Sequence, residues 1–139
     1  MTANKYYYAV GRRKSSTAVL KLYPNGKGKF TVRANGKELP FNEYFGGRNY
    51  LVEDMYSPFN LLGKDFAKKY DAEITVSGGG VASQGGAIRL AFARALTLLS
   101  PDFRLTLKPH GLLKRDQRIK ERKKPGLRKA RKRPTWSKR

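Results

Sequence analysis

The chain of 139 residues has no cysteine, one histidine and one tryptophan, and few acids: ten Asp and Glu against 31 Lys and Arg. Each shortage closes off a class of chemistry. Without cysteine there is no disulfide, no thiolate nucleophile and no cysteine-based zinc site, and the composition fits a reducing compartment. His110, alone between Pro109 and Gly111, supplies neither a metal cluster nor a histidine-based triad. The carboxylates Glu38, Glu43, Glu53, Asp54, Asp65, Asp71, Glu73 and Asp102 are scattered, with no metal-loop spacing of the D-x-D-x-D-G kind. No general acid and general base stand out, so an enzyme, a cofactor and a metal are all argued against. No apolar run approaches the roughly 20 residues that span a bilayer. The opening MTANKYYYAVGRRKSS has no apolar segment of signal-peptide length. A soluble cytosolic protein is the expectation.

What is abundant is positive charge, a formal net of +21. Self-repulsion of that size destabilises a compact chain standing alone, and a polyanion relieves it. Nucleic acid is the first candidate and an anionic membrane surface the second. The charge is concentrated. From Lys108 to Arg139 there are fifteen Lys and Arg and two acids, Asp116 and Glu121, a net of +13 against +8 for the first 107 residues. The apolar residues of that segment, Leu112, Leu113, Ile119, Leu127 and Trp136, are too sparse for a core of their own. Pro125, Gly126 and Pro134 interrupt any long helix. Like-charge blocks of this kind are disordered alone and act as interaction tails. The expected organisation is a globular body over 1–109 and an extended basic tail over 110–139.

Within the body, YYYAV at 6–10, TAVLKLY at 17–23 and FTVR at 30–33 read as strands, separated by turn clusters that include two Asn-Gly pairs. An antiparallel meander is the simplest arrangement. FNEYFGG reads as one helical turn stopped by Gly46 and Gly47, followed by a helix from Arg48 to about Ser57 that Pro58 interrupts. A loop or ragged turn is expected over 66–70, then a strand with Ala72, Ile74 and Val76 alternating. Ile88, Ala91, Phe92, Ala95, Leu96 and Leu99 recur at helical spacing as a core-facing stripe. Ser100-Pro101 reads as the capped start of one more short helix. This order predicts an α+β fold, a mixed sheet with helices on one face.

Two stretches carry candidate chemistry. In GGGVASQGG, Gly78, Gly79 and Gly80 leave a strand, and Ser83, Gln84 and Gly85 lead into the helix. Bare backbone N–H groups and the positive end of a helix can cradle a phosphate there; a purely structural turn is the alternative. The spacing matches neither a P-loop nor a dinucleotide fingerprint. Arg89 and Arg94 flank the apolar stripe, which favours the phosphate of a polymer over that of a small nucleotide. In GRRKSST, the cluster Arg12, Arg13, Lys14, Ser15 and Ser16 forms a turn suited to clamping phosphate by bidentate arginine and hydroxyl contacts; a solvated turn is the bland alternative. Trp136 has no core within reach and is suited to stacking on a base or docking on a protein. A phosphate-binding enzyme akin to small-molecule kinases and a free nucleic-acid-condensing protein are the rival readings.

GRRKSS after an aromatic strand, VSGGGVASQGGAIRLAFARAL, and GLLKRDQRIKERKKPGLRKARKRPTWSKR to the last residue together resemble the bacterial small-subunit ribosomal protein nine family, in the same order over nearly the whole chain. The resemblance implies a fold of the ribosomal-protein-S-five second-domain type, with a left-handed βαβ crossover. It implies a structural role in the head of the small subunit, against the 3′ major domain of the ribosomal RNA. Neighbouring head proteins, rather than a second copy of this chain, would be its protein contacts. The tail would thread through RNA using Arg115, Arg118, Arg122, Lys123, Lys124, Arg128, Lys129, Arg131, Lys132 and Arg133. Its end, Ser137, Lys138 and Arg139, would touch backbone phosphates in the anticodon stem-loop of peptidyl-site tRNA.

Overall fold

The computed structural model describes residues 5–139. The expectation drawn from the start of the chain rests partly on residues 1–4, which lie outside the described residues. In chain order the elements are β1 (Tyr7–Arg13), β2 (Ser16–Pro24), β3 (Phe30–Ala34), β4 (Lys37–Pro40), α1 (Phe41–Tyr44), α2 (Asn49–Leu62), a 3-10 turn (Phe66–Lys69), β5 (Tyr70–Ser77), α3 (Val81–Leu99) and α4 (Phe103–Leu107). The strands form one sheet in the order β1-β2-β5-β3-β4. All pairings are antiparallel except β3 with β5. The α+β class is as expected.

The meander is not. β2 and β3 do not pair, because β5 lies between them, setting Ile74 opposite both Leu20 and Val32. The physical reason is burial. In β5 the inward side chains Ala72, Ile74 and Val76 are all buried, and the centre of the sheet is where such a strand loses most apolar surface. Reaching a parallel neighbour needs a long crossover, and β4, α1 and α2 supply it. β4 itself gives no periodic signal, since Lys37 and Glu38 are exposed on an edge. Its hairpin turn is set by Asn35 and Gly36, at φ 50° and 77°.

The helices also depart from expectation. α2 runs through Pro58 to Leu62. The ring forfeits one backbone bond, but it is fully buried against the core. α3 begins at Val81, so Gly85 and Gly86 lie inside it. Ser100 does not cap α4 with its hydroxyl. The N–H groups of Phe103 and Arg104 instead bond the carbonyls of Ser100 and Pro101, at 3.2 and 3.1 Å.

Alternation along β2 sends Ala18, Leu20 and Leu22 to the helical face and leaves Thr17, Val19 and Lys21 on the open one. The core is rich in aromatics: Phe59 meets Phe92 edge-on at 4.9 Å, and Phe30 and Phe41 each pack against Tyr56 and Phe92. On the other side α3 lies directly on β1. The contact is possible because Gly11 has no side chain: a Cβ there would overlap the Ala87 carbonyl and stand 2.7 Å from the Ala91 nitrogen. Packing continues past residue 109, for Leu112 is buried and Leu113 rests on the core.

Gly11→Ala pushes backbone against backbone, so it should destabilise the body by about 3 kcal/mol, read as a lowered Tm with RNA absent. A second expectation concerns acid. The Asp71 carboxylate accepts the backbone N–H groups of Lys27 and Lys29, both at 2.8 Å. These bonds, that from Lys29 foremost, hold its pKa below the ordinary value. The folded state therefore prefers the ionised form. The stabilisation is complete above the unfolded pKa of about 3.9 and is lost as pH falls through the lower folded one. Asp71→Asn should flatten that acid limb in pH-dependent unfolding.

Candidate nucleic-acid interface

The β1–β2 hairpin turns on Lys14 and Ser15, with Lys14 at φ 51° and Arg13 paired across to Ser16. Strand alternation divides the cluster. Arg12, Lys14 and Ser15 are exposed, whereas Arg13 points to the helical face and Ser16 is buried. The Arg13 stem lies over Gly86, where a Cβ would collide with it. Its guanidinium reaches Asp116 at 3.6 Å, while its Nε is buried without a partner.

The glycine stretch meets this hairpin. Ser16 Oγ donates to the Gly78 carbonyl at 3.1 Å and lies 2.6 Å from Ser83 Oγ. Gly78 and Gly79 adopt φ of 70° and 63°, and a Cβ on Gly79 would overlap the Ser16 hydroxyl. Ser83 Oγ also accepts the Gly80 N–H at 3.1 Å. Gln84 is buried, its amide donating to the Gly78 carbonyl at 3.1 Å and its oxygen accepting the Tyr44 hydroxyl at 2.6 Å. Gly85 packs against Met55 and Leu51. The polar side chains of the motif are thus occupied internally. What stays on the surface is the backbone of Gly78, Gly79 and Gly80, beside the exposed turn.

The arm that follows α4 returns to this place. Arg115 Nη2 donates to the Lys14 carbonyl at 3.3 Å, and Asp116 sits between Arg13 and Arg118. Hydrogen bonds from Arg118, side chain before backbone, hold the Asp116 carboxyl far below the usual carboxylate range. A cleft of about 410 Å³ opens here between α3 and the arm, lined by Arg89, Lys114, Arg115, Asp116 and Arg118 among others. Arg89 is also tied to Asp54 of α2 at 2.8 Å. Sequence reasoning missed Lys114, Asp54 and Asp116 because their roles depend on which elements meet.

Beyond Arg118 the chain has no helix or strand. Of its twelve Lys and Arg from Arg118 onward, three (Arg118, Lys124 and Arg131) have a carboxylate partner. Arg122, Lys123, Arg128, Lys129, Lys132, Arg133, Ser137, Lys138 and Arg139 are exposed, as is Trp136 at 83%. The arm is not extended throughout, since Glu121 bonds Arg131 across ten residues at 3.0 Å. A further cleft, of about 870 Å³, lies on the open sheet face beside Tyr6, Tyr23 and Glu73. It shares no residue with the glycine stretch. Among the described residues no cluster of His, Asp and Glu could hold a metal ion, and no helix is long and apolar enough to cross a membrane.

Comparison with known proteins identifies the family. The family described as Ribosomal protein S9/S16 matches residues 11–139. Similar relatives include the small ribosomal subunit protein uS9 of Mycoplasmopsis synoviae (strain 53), 48% identical over the full length of both chains. The uS9 of Thermus thermophilus is 49% identical over 96% of this chain and 98% of its own. The uS9c of Gracilaria tenuistipitata var. liui is 50% identical over 96% and 92%. With the match covering almost every residue, the hairpin, the glycine turn and the basic arm included, the chain belongs to the ribosomal protein S9/S16 family: a structural, non-enzymatic component of the small ribosomal subunit, associated there with ribosomal RNA and other ribosomal proteins.

Proposed function

We propose that the body docks on ribosomal RNA of the 3′ major domain in the subunit head, and that the arm threads between RNA strands to the peptidyl site. The observation that carries this reading is the arm. A run of cations exposed to solvent, with two carboxylates among them, has phosphate as its natural counterion. On the body, Arg12, Lys14 and Ser15, together with the solvent-exposed glycines Gly78, Gly79 and Gly80, form the docking face. Arg13, Ser16, Ser83, Gln84, Gly85 and Arg89 were expected to touch RNA. We assign them instead chiefly to holding that face in shape, because each is packed or bonded inside the protein. Arg115, Arg118 and the cations after them line the RNA path. Ser137, Lys138 and Arg139 reach backbone phosphates of the tRNA anticodon stem-loop. The protein's neighbours are other head proteins.

If roughly ten phosphates are neutralised, log affinity for a head-domain transcript should fall against log salt with a slope of about −7 to −9. A slope near zero in filter binding would defeat the electrostatic reading. Lys14→Ala should lower affinity and shallow the slope by about 1, with Tm unchanged. Ser16→Ala should do the reverse, costing about 1 kcal/mol through the lost hydrogen bond to the Gly78 carbonyl, which keeps only its Gln84 donor, while leaving the slope alone. Removing Ser137 to Arg139 should leave subunits assembled but speed dissociation of peptidyl-site tRNA about tenfold. Unchanged dissociation from such subunits counts against the tRNA contact.

A further inference from the structure

An acid is out of place in a segment that meets phosphate. Glu121 stands in such a segment, with Arg122, Lys123 and Lys124 directly after it. Its carboxylate is occupied by the arm's own cations. Lys124 Nζ donates to Oε1 at 3.2 Å, and Arg131 Nε donates to Oε2 at 3.0 Å and to Oε1 at 3.3 Å. Fully extended, ten residues would hold Glu121 and Arg131 about 33 Å apart. The chain therefore doubles back between them. Gly126, at φ 79°, takes the turn that a side chain would resist. The Leu127 N–H bonds the Lys124 carbonyl at 3.3 Å, and the Arg128 N–H bonds the Lys132 carbonyl at 2.8 Å. The outcome is a closed loop over 121–132. Its remaining cations, Arg122, Lys123, Arg128, Lys129 and Lys132, have no carboxylate partner among the described residues.

One exposed ion pair contributes little. Here a single carboxylate serves two cations in a segment that otherwise repels itself, and it closes a loop between them. A preformed loop loses less ordering entropy when it binds. We propose that Glu121 is a positioning residue: it folds the arm into a basic loop whose unpaired cations are spaced for the phosphates of a folded RNA, and so confers preference for structured over unstructured RNA. This rests on the RNA-binding reading above and deepens it.

The test compares full-length protein with Glu121→Gln, a near-isosteric change that makes the arm more positive by one charge. Binding is measured across a salt series to a folded head-domain transcript and to poly(U). If loop shape matters, the variant binds the transcript about three- to tenfold more weakly, with the salt slope retained, and binds poly(U) equally or more tightly. If the arm is a simple polycation, the variant binds both RNAs equally or more tightly, and the proposal falls. An equal loss on both RNAs overturns it as well. In the free protein, the Arg131 Nε–H proton should exchange slowly in NMR spectra and lose that protection in the variant; unprotected Nε–H in the unaltered chain also overturns it. Failure of the underlying reading looks different, because the unaltered protein itself would then not distinguish transcript from poly(U).

Discussion

Everything in this molecule is arranged around its self-repulsion: ten carboxylates share a chain with 31 cations. The acids that are engaged act as tie points between segments. Asp54 joins α2 to Arg89 of α3, and Asp71 gathers the N–H groups of the β2–β3 loop. Asp116 binds the arm's root to Arg13, and Glu121 closes the arm's loop. None of these contributes much alone in water. Stability comes from the apolar core, and the carboxylates decide where the surplus charge is led. It is led away from that core, into an arm that leaves the body once Leu112 has been buried.

The glycine turn shows how a motif that looks made for a ligand can be spent on architecture. Its serine and glutamine side chains point inward, Gln84 bonding the Gly78 carbonyl and Ser83 meeting the Ser16 hydroxyl. The turn, the hairpin and α3 are locked into one unit by Ser16, Ser83 and Gln84. The same closeness that lets α3 touch β1 at Gly11 brings the exposed turn at Lys14 and Ser15 beside Gly78 and the arm's root at Arg115. Shape and charge converge there without a single reactive group. That fits a family of structural proteins of the small ribosomal subunit.

Residue types and spacing by themselves determined the class of fold, the core-facing stripe of α3, the alternation of β2 and β5, and the want of catalytic groups. Those properties are local: a period of 2 or 3.6, a run of like charge or a missing residue type can be read from neighbours in the chain. Tertiary structure alone decided that β5 lies between β2 and β3, that α2 continues through Pro58, and that Leu112 belongs to the body. It also decided which members of GRRKSST and GGGVASQGG face solvent. A hydroxyl in a turn looks the same in sequence whether its partner is a phosphate or a carbonyl 62 residues away. Pairing of that kind depends on which surfaces burial brings together, and burial is settled by the whole core at once.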